Sequence, residues 1–499
     1  GSLLMGNLDR KITGAVTLAG GVAGNGTLNL GTGSHTITGN FTAGAGDIVA
    51  STISAADSTA GANFGKLNTG TADVGTISGA ATISNLDSTT AAITLSSTAG
   101  YIVDGATFVL VQGTGATALD DTSIKVNGGS NTTGLLTFTS TNDNGDINIV
   151  VDRATAADVA TNTQADSVGT ALETILMSGG ANLDTIQNSL QASTTAAGVT
   201  TILDSLTTQQ DGSIAEGSYQ AASLALGTME GRLSNARMGN TASSGTGLSA
   251  GDGANTRGVW LQGFGSVSDQ ETIDGIAGYD ADVYGVAIGG DKAISDTLRL
   301  GLAFSYANSN IDSKSNTKEL DVDTYQLSAY GSKTIREKYY VDGLVAAAYN
   351  QYDSTRTIAA VPATARADFN GQTYTARVGA GYNYQKAGSG LVVTPNVGLT
   401  YSYNRTEGYS EKDAGALNLT VQSDSTQTLR AKAGLDLAYN GKIRQTTVRP
   451  KLRAGYEYDL LNDEQSSTSN FTGVATTFKT TGPDTDRGMF DVGAGLDLV

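Results

Sequence analysis

The sequence predicts an all-β chain with a helical junction. A 12-stranded antiparallel transmembrane β-barrel over residues 257–499 is preceded by helices and by a partial parallel β-solenoid. Three observations carry this. The C-terminal half places apolar residues at every second position in about ten consecutive rows, almost without helical interruption. Residues from about 156 to 239 change to a helical period. Residues 1 to about 155 are Gly- and Thr-rich, with short alternating stretches at intervals.

Composition fits an all-β surface protein better than a cytosolic enzyme. Of 499 residues, 65 are Gly and only 4 Pro, and 16% are charged, against roughly 25% in ordinary soluble domains. A formal net charge of −18 argues against nucleic acid as a partner, because phosphate recognition needs basic patches. With no cysteine there is no disulfide framework or thiolate metal site. No run of about 18 apolar residues exists, so strands are the only route across a bilayer. No signal peptide opens the chain, although an outer-membrane protein needs export. The chain is therefore expected to be part of a longer precursor, or Gly1-Ser2 to be a cloning remnant.

In the first region, Gly26-Thr27-Leu28-Asn29-Leu30, His35-Thr36-Ile37-Thr38, Val74-Gly75-Thr76-Ile77 and Ala92-Ile93-Thr94-Leu95 are each too short for a sheet of their own. Stacked as rungs they bury one Val/Ile/Leu row and close at Thr/Asn/Gly corners. Residues 101–152 are richer in strand formers and are expected to cap the open end, covering its edges. In the second region Val168, Leu172 and Ile175 share a helix face, as do Leu183, Ile186 and Leu190. Val199, Ile202 (or Leu203) and Leu206 repeat the spacing, and Tyr219, Ala222, Leu226, Met229 and Leu233 run three, four, three, four. Gly179-Gly180 and Asp211-Gly212 break the pattern. Residues 156–215 read as a small helical bundle, 216–239 as a last helix, and 240–256 as a Ser/Gly/Thr/Ala-rich tether.

In the third region Leu298, Leu300, Leu302, Phe304 and Tyr306 form one apolar row. Tyr374, Ala376, Val378, Ala380, Tyr382 and Tyr384 form another, with Arg377 on the opposite parity. Segments centred near 262, 286, 302, 327, 344, 378, 398, 418, 433, 453, 475 and 493 give about twelve strands of membrane-spanning length. Aromatic residues at row ends match an interfacial girdle, for which Trp260, Tyr306, Tyr382, Tyr384, Tyr401, Tyr403, Tyr456 and Tyr458 are the candidates. Arg299, Arg377, Arg430, Lys432, Arg449, Lys451 and Arg453 take the opposite parity and are expected to face the lumen, since a lipid-facing wall rejects charge.

These residues carry a family resemblance. Val259-Trp260-Leu261-Gln262-Gly263-Phe264-Gly265, Tyr284-Gly285-Val286-Ala287-Ile288-Gly289-Gly290-Asp291 and Tyr325-Gln326-Leu327-Ser328-Ala329-Tyr330-Gly331 resemble the β-domain of autotransporters, the type V secretion systems. So does Ala414-Gly415-Ala416-Leu417-Asn418-Leu419 leading into Leu429-Arg430-Ala431-Lys432-Ala433-Gly434-Leu435. The resemblance covers about 257–499 and implies a mechanism. The barrel inserts into outer-membrane lipid with the help of the barrel assembly machinery. The N-terminal passenger, 1–155, reaches the cell surface, and 216–256 supplies a pore-spanning helix and tether. Glu230, Arg232, Asn235 and Arg237 are then the pore-helix candidates, facing the cationic row; whether that row contacts the helix or is merely solvated stays open. Some members cut their passenger inside this helix at an Asn. Here Ala236 follows Asn235 where the family pairs two Asn, so an uncleaved passenger is expected. Members end in an aromatic residue; this chain ends Leu496-Asp497-Leu498-Val499, so it is expected to stop just short of that position.

No catalytic constellation emerges. His35 is the single histidine and has no serine elbow nearby. Asp143-Asn144-Gly145-Asp146 and Asp252-Gly253 lack calcium-loop spacing and read as turns. No cofactor or metal is expected. Four functions remain: a translocator displaying its own passenger, a scaffold carrying a surface coat or adhesin layer, a passive pore, and the carrier of an enzyme encoded upstream of residue 1. The surface ligand and any neighbouring surface proteins stay unknown.

Overall fold

The computed structural model describes most of residues 131–499, with short gaps, together with residues 102 and 104–112 and the short strands between Ser2 and Val126. The chain divides into two compact units, residues 1–206 with 359–362, and residues 207–358 with 363–499.

In the first unit the short strands pair in parallel. Ser2–Leu4, Thr27–Asn29, Ile48–Ser54, Ile93–Thr98 and Ile124–Val126 form one series. Arg10–Ile12, Ser34–Ile37, Lys66–Thr69 and Thr107–Gln112 form a second, and Val16–Leu18, Phe41–Ala43 and Thr82–Ile83 a third. Most side chains of these strands, His35 included, and the segment 74–77 lie outside the described residues. The second series ends on an antiparallel hairpin, Leu136–Asp143 with Asp146–Arg153, which pairs with Thr107–Gln112. Phe108, Phe138, Ile149 and Val151 of this addition are buried.

Four helices follow: α1 (Ala156–Val159), α2 (Thr163–Met177), α3 (Asp184–Ala192) and α4 (Ala196–Asp204). Thr155 and Asp158 cap α1 reciprocally, satisfying two backbone N–H groups at its start. The helical rows read from sequence are the buried ones, and Leu203 rather than Ile202 completes the third. Arg153 is fixed between the hairpin and the helices, its Nη2 2.6 Å from Glu173 Oε1 and its Nη1 3.3 Å from Gln191 Oε1.

The second unit contains helix α5 (Ser213–Arg237) and ten long strands: β1 (Arg257–Gln270), β2 (Tyr279–Ser295), β3 (Leu298–Ser313), β4 (Lys318–Ile335), β5 (Tyr339–Ile358), β6 (Ala363–Tyr382), β7 (Leu391–Thr406), β8 (Asp424–Tyr439), β9 (Thr446–Asp459) and β10 (Gly488–Leu498). Each pairs antiparallel with the next, giving one curled sheet. Among the described residues β10 pairs with β9 and not with β1. Gly247–Ala250, within the expected tether, is instead a short strand paired with Val259–Gln262; the rest of 240–256 lies outside the described residues, as does Val499.

The ten described strands fall short of the expected twelve. The segments near 418 and 475 belong to a separate four-stranded sheet of Tyr409–Ser410, Leu419–Val421, Ser466–Phe471 and Thr477–Thr481. Its strands alternate like membrane strands, but the alternation buries Leu419, Val421, Phe471 and Phe478 in a small core instead of facing lipid. A buried ion pair ties it to β5: Arg356 Nε donates to Glu411 Oε1 at 2.9 Å, and Arg356 Nη2 to the Leu417 carbonyl at 2.9 Å.

The long sheet is apolar on its convex face. Leu302 is 62% exposed, Leu327 63%, Val345 55% and Val378 51%. So large an apolar surface without a protein partner belongs in lipid. No described helix is long and apolar enough to cross a membrane; the strands make the crossing. The register sets Tyr306, Tyr325 and Tyr349 side by side across β3–β5, while Tyr339 and Tyr382 pair at the opposite end, ring centroids 4.8 Å apart. Along β5, Tyr339 and Tyr349 are ten residues apart; at about 3.3 Å per residue and a tilt of roughly 40° they span about 25 Å of membrane height. Connections at the Tyr339 end are short, and those at the Tyr306 end include the two longest, residues 407–423 and 460–487.

Candidate functional site

Helix α5 packs on the concave face of the sheet, against β1 to β7. It begins at Ser213, three residues before the sequence boundary at 216. Its first turns sit at the long-loop end, where Ile214 joins Tyr279, Ile311, Leu320, Val322 and Tyr352 in a buried apolar cluster. Gly217 allows the close approach, since a Cβ there would press on Ile311. Ser218 Oγ and Tyr352 Oη are 2.8 Å apart, and the Tyr352 ring continues through Phe369 to Tyr409 as a stack with centroid spacings of 4.8 and 4.0 Å. The upper concave face therefore packs as a protein core, not as the water-lined wall that parity alone suggests.

The lower half of α5 is held differently. Leu226, Met229 and Leu233 pack on Trp260, Ala287, Ala303, Tyr330 and Leu344. Arg232 Nε lies 2.7 Å from Asp291 Oδ2, and Asp291, its side chain fully buried, also pairs with Arg299. Tyr330 Oη reaches Asp291 Oδ2 at 3.4 Å and accepts from Trp260 Nε1 at 2.7 Å. Gly258 makes room for this, because a Cβ would collide with the Arg232 guanidinium. One turn on, Arg237 Nη1 donates to Asp342 Oδ1 at 2.7 Å and to Ser332 Oγ at 3.0 Å, its guanidinium 3.7 Å above the Tyr340 ring.

All four helix candidates meet the wall. Besides Arg232 and Arg237, Glu230 Oε1 lies 3.2 Å from Arg377 Nη1, and Asn235 Oδ1 accepts from Lys451 Nζ at 2.7 Å. The seven cationic candidates divide. Arg377, Arg430 and Lys451 touch α5; Arg430 Nη2 lies 3.1 Å from Glu216 Oε2 and covers the Tyr219 ring at 3.9 Å. Arg299 reaches α5 through Asp291. Lys432 and Arg453 share Asp491 at 2.8 and 3.3 Å, and Arg449 donates to Asn440. Opposite the small-residue face of α5 (Gly227, Gly231, Ser234) a polar cavity of about 380 Å³ remains, lined on its far side by Lys432, Asp436 and Arg453.

Of the girdle candidates, Tyr384, Tyr401, Tyr456 and Tyr458 are exposed on the convex face. Tyr306, Tyr382 and Tyr403 are half-buried there, Tyr306 donating to Asp323 at 2.7 Å. Trp260 is a correction. Val259 and Leu261 take the outward parity, so the indole turns inward and is 4% exposed beneath α5. Sequence reasoning missed Asp291, Asp342, Glu216 and Tyr330. The available signal was parity: Asp291 shares the inward parity of Ala287 and Gly289 and alternates with outward Ile288 and Gly290, and Asp342 is flanked by outward Val341 and Gly343. No group of three or more metal-ligating side chains occurs among the described residues.

The family model described as the autotransporter beta-domain matches residues 259–499. "Outer membrane protein A" of Rickettsia rickettsii is 28% identical over 249 residues, 48% of this chain and 11% of that protein. "Outer membrane protein B" of Rickettsia prowazekii is 25% identical over 291 residues, 55% of this chain and 17% of that protein. The chain thus spans less than a fifth of these relatives. Among solved structures, the translocator domain of autotransporter NalP from Neisseria meningitidis is 18% identical with a TM-score of 0.38, covering 55% of this chain and 96% of that one.

Proposed function

Starting from the autotransporter β-domain that this chain carries at residues 259–499, we propose that the barrel anchors in the outer membrane and passes its own N-terminal region to the cell surface, where that region stays attached. The observation that carries this is the run of α5. It begins at the long-loop end beside Ile214 and Tyr352 and ends at the short-turn end beside Asp342. Outer-membrane barrels keep short turns in the periplasm and long loops outside. Chain entering α5 therefore comes from the outer side, as an exported N-terminal region requires. Retention without cleavage is supported by the unbroken helix through Arg237 and by the capture of the Asn235 carboxamide oxygen by Lys451.

The displayed region is read as a parallel β-solenoid, supported by the parallel pairing of each short strand with the third one along, save that Ile93–Thr98 pairs with the second along, Ile124–Val126. The antiparallel hairpin of residues 136–153 is its closing cap. Assembly through the barrel assembly machinery belongs to the same proposal. No catalytic role is assigned to this chain; an enzyme upstream would appear in a longer precursor sequence.

Intact mass and surface-protease mapping of the protein in its outer membrane test the reading. The expected result is one uncut chain whose N-terminal region is digested from outside. A separate barrel fragment beginning near residues 235–240 instead means cleavage within the helix and a releasable N-terminal region.

A further inference from the structure

The convex wall carries a depression that the anchoring role does not need. On adjacent strands β4 and β5, Gly331 and Gly343 stand directly opposite one another, both on the lipid-facing parity, with Ala329 two residues along from Gly331. Leu300 and Leu302 form one side and Val345 and Val378 the other, enclosing a groove of about 1250 Å³. Glycine weakens a strand, and in a strand interior it often marks a place where something approaches the backbone closely. The Leu300 side chain leans over Gly331, whereas Gly343 is left open: a Cβ there would meet no atom within 4 Å.

The lower end of the groove is cationic. Lys333 lies two residues along β4 from Gly331, Lys292 is directly across from Leu300, and Arg257 directly across from Lys292. Lys292, Lys333 and Arg257 are all exposed, and among the described residues none has a carboxylate at ion-pair distance. The cations sit beside the Ile335–Tyr339 pair, at the level of the short-turn aromatic residues, where lipid headgroups begin. An apolar trough opening onto three unpaired cations at headgroup depth has the chemistry of an anionic lipid: phosphate on the basic rim, hydrocarbon on the glycine floor.

We propose that this groove binds one phospholipid of the periplasmic leaflet, its phosphate seated on Arg257, Lys292 and Lys333 and one acyl chain lying over Gly343, beside the Leu300 side chain that covers Gly331. The two halves of the site are separable. The cations select an anionic headgroup, and the glycine floor accepts the chain whatever the headgroup is.

The test uses the full chain, folded in detergent micelles doped with phosphatidylglycerol and phosphatidylethanolamine, with bound lipid read by native mass spectrometry. Wild type is expected to retain one phosphatidylglycerol in preference to phosphatidylethanolamine. Lys292→Gln/Lys333→Gln is expected to weaken phosphatidylglycerol retention on the order of tenfold and erase the preference. Gly343→Leu is expected to expel both lipids while leaving the heat-dependent gel shift of the folded barrel unchanged. Glycerol phosphate and inorganic phosphate are expected not to displace the lipid. Equal retention by wild type and both variants overturns the proposal. So does displacement by inorganic phosphate, which reduces the site to an anion patch. Unchanged lipid retention with poorer barrel assembly in cells also overturns it, in favour of a protein-docking face.

Discussion

The two halves of α5 rest on the same wall by different physics. Toward the outer end, Ile214 and Ser218 enter an apolar and aromatic cluster whose one polar link to the helix is the Ser218–Tyr352 contact. Toward the periplasmic end, Arg232 and Arg237 place two guanidinium groups on buried carboxylates. Apolar packing is forgiving: losing part of a side chain costs its transfer energy plus a cavity term. A buried charge pair is not, because removing one partner leaves the other desolvated and unpaired. Apart from the partly exposed Glu216–Arg430 pair, the outer half is therefore held by many small contributions, and the inner half by a few that fail together.

Removing the helix altogether should have the largest effect. Deleting residues 213–237 is expected to turn a nearly silent barrel into an open conductor in planar-bilayer recordings. A conductance no higher than wild type means the described wall is blocked by something other than α5. Asp291→Ala comes next, since it removes the buried carboxylate that Arg232 and Arg299 share; about 3–5 kcal/mol is expected, read as a drop in thermal stability with bursts of conductance. Asp291→Asn should lose less, because its amide oxygen still accepts from Arg232. Tyr352→Phe removes the Ser218 link but keeps the stack, and about 1 kcal/mol should show in the same melt. The smallest effect is expected for Glu230→Gln. Its carboxylate is 40% exposed to the cavity, so less than about 1 kcal/mol is lost, and raising salt should abolish even that. If Glu230→Gln proves as costly as Asp291→Ala, the division between the halves is wrong.

Much of this was legible in the sequence, because a strand gives every side chain a parity and lipid punishes the wrong choice. Leu300, Leu302 and Phe304 alternate in sequence and are exposed together in the fold. The same parity places Arg377, Arg430 and Lys451 within reach of α5. Trp260 was misread because residue type was allowed to outweigh parity, although its neighbours Val259 and Leu261 already pointed outward. The strands expected near 418 and 475 failed for a related reason. Alternation records that one face is apolar, not whether lipid or a small protein core covers it, and Leu419 and Phe471 satisfy the pattern against each other. Asp291 escaped notice because a single inward acid looks the same in sequence whether water or an arginine stands opposite. That distinction depends on the rotation of α5, which its own residues fix only after packing.

The direction of α5 has a mechanical consequence. A pull on the chain that precedes α5 enters the helix at Ser213, at the long-loop end, while the strongest fasteners, Arg232 and Arg237, lie at the far end. Tension runs along the helix axis and loads its contacts in shear, one turn after another, before it reaches the arginines. Resistance to such a pull is set by the rate at which these contacts give way, not by equilibrium stability. A cell tethered through this chain would thus hang from a rope threaded through its own cleat, with the knot on the inside.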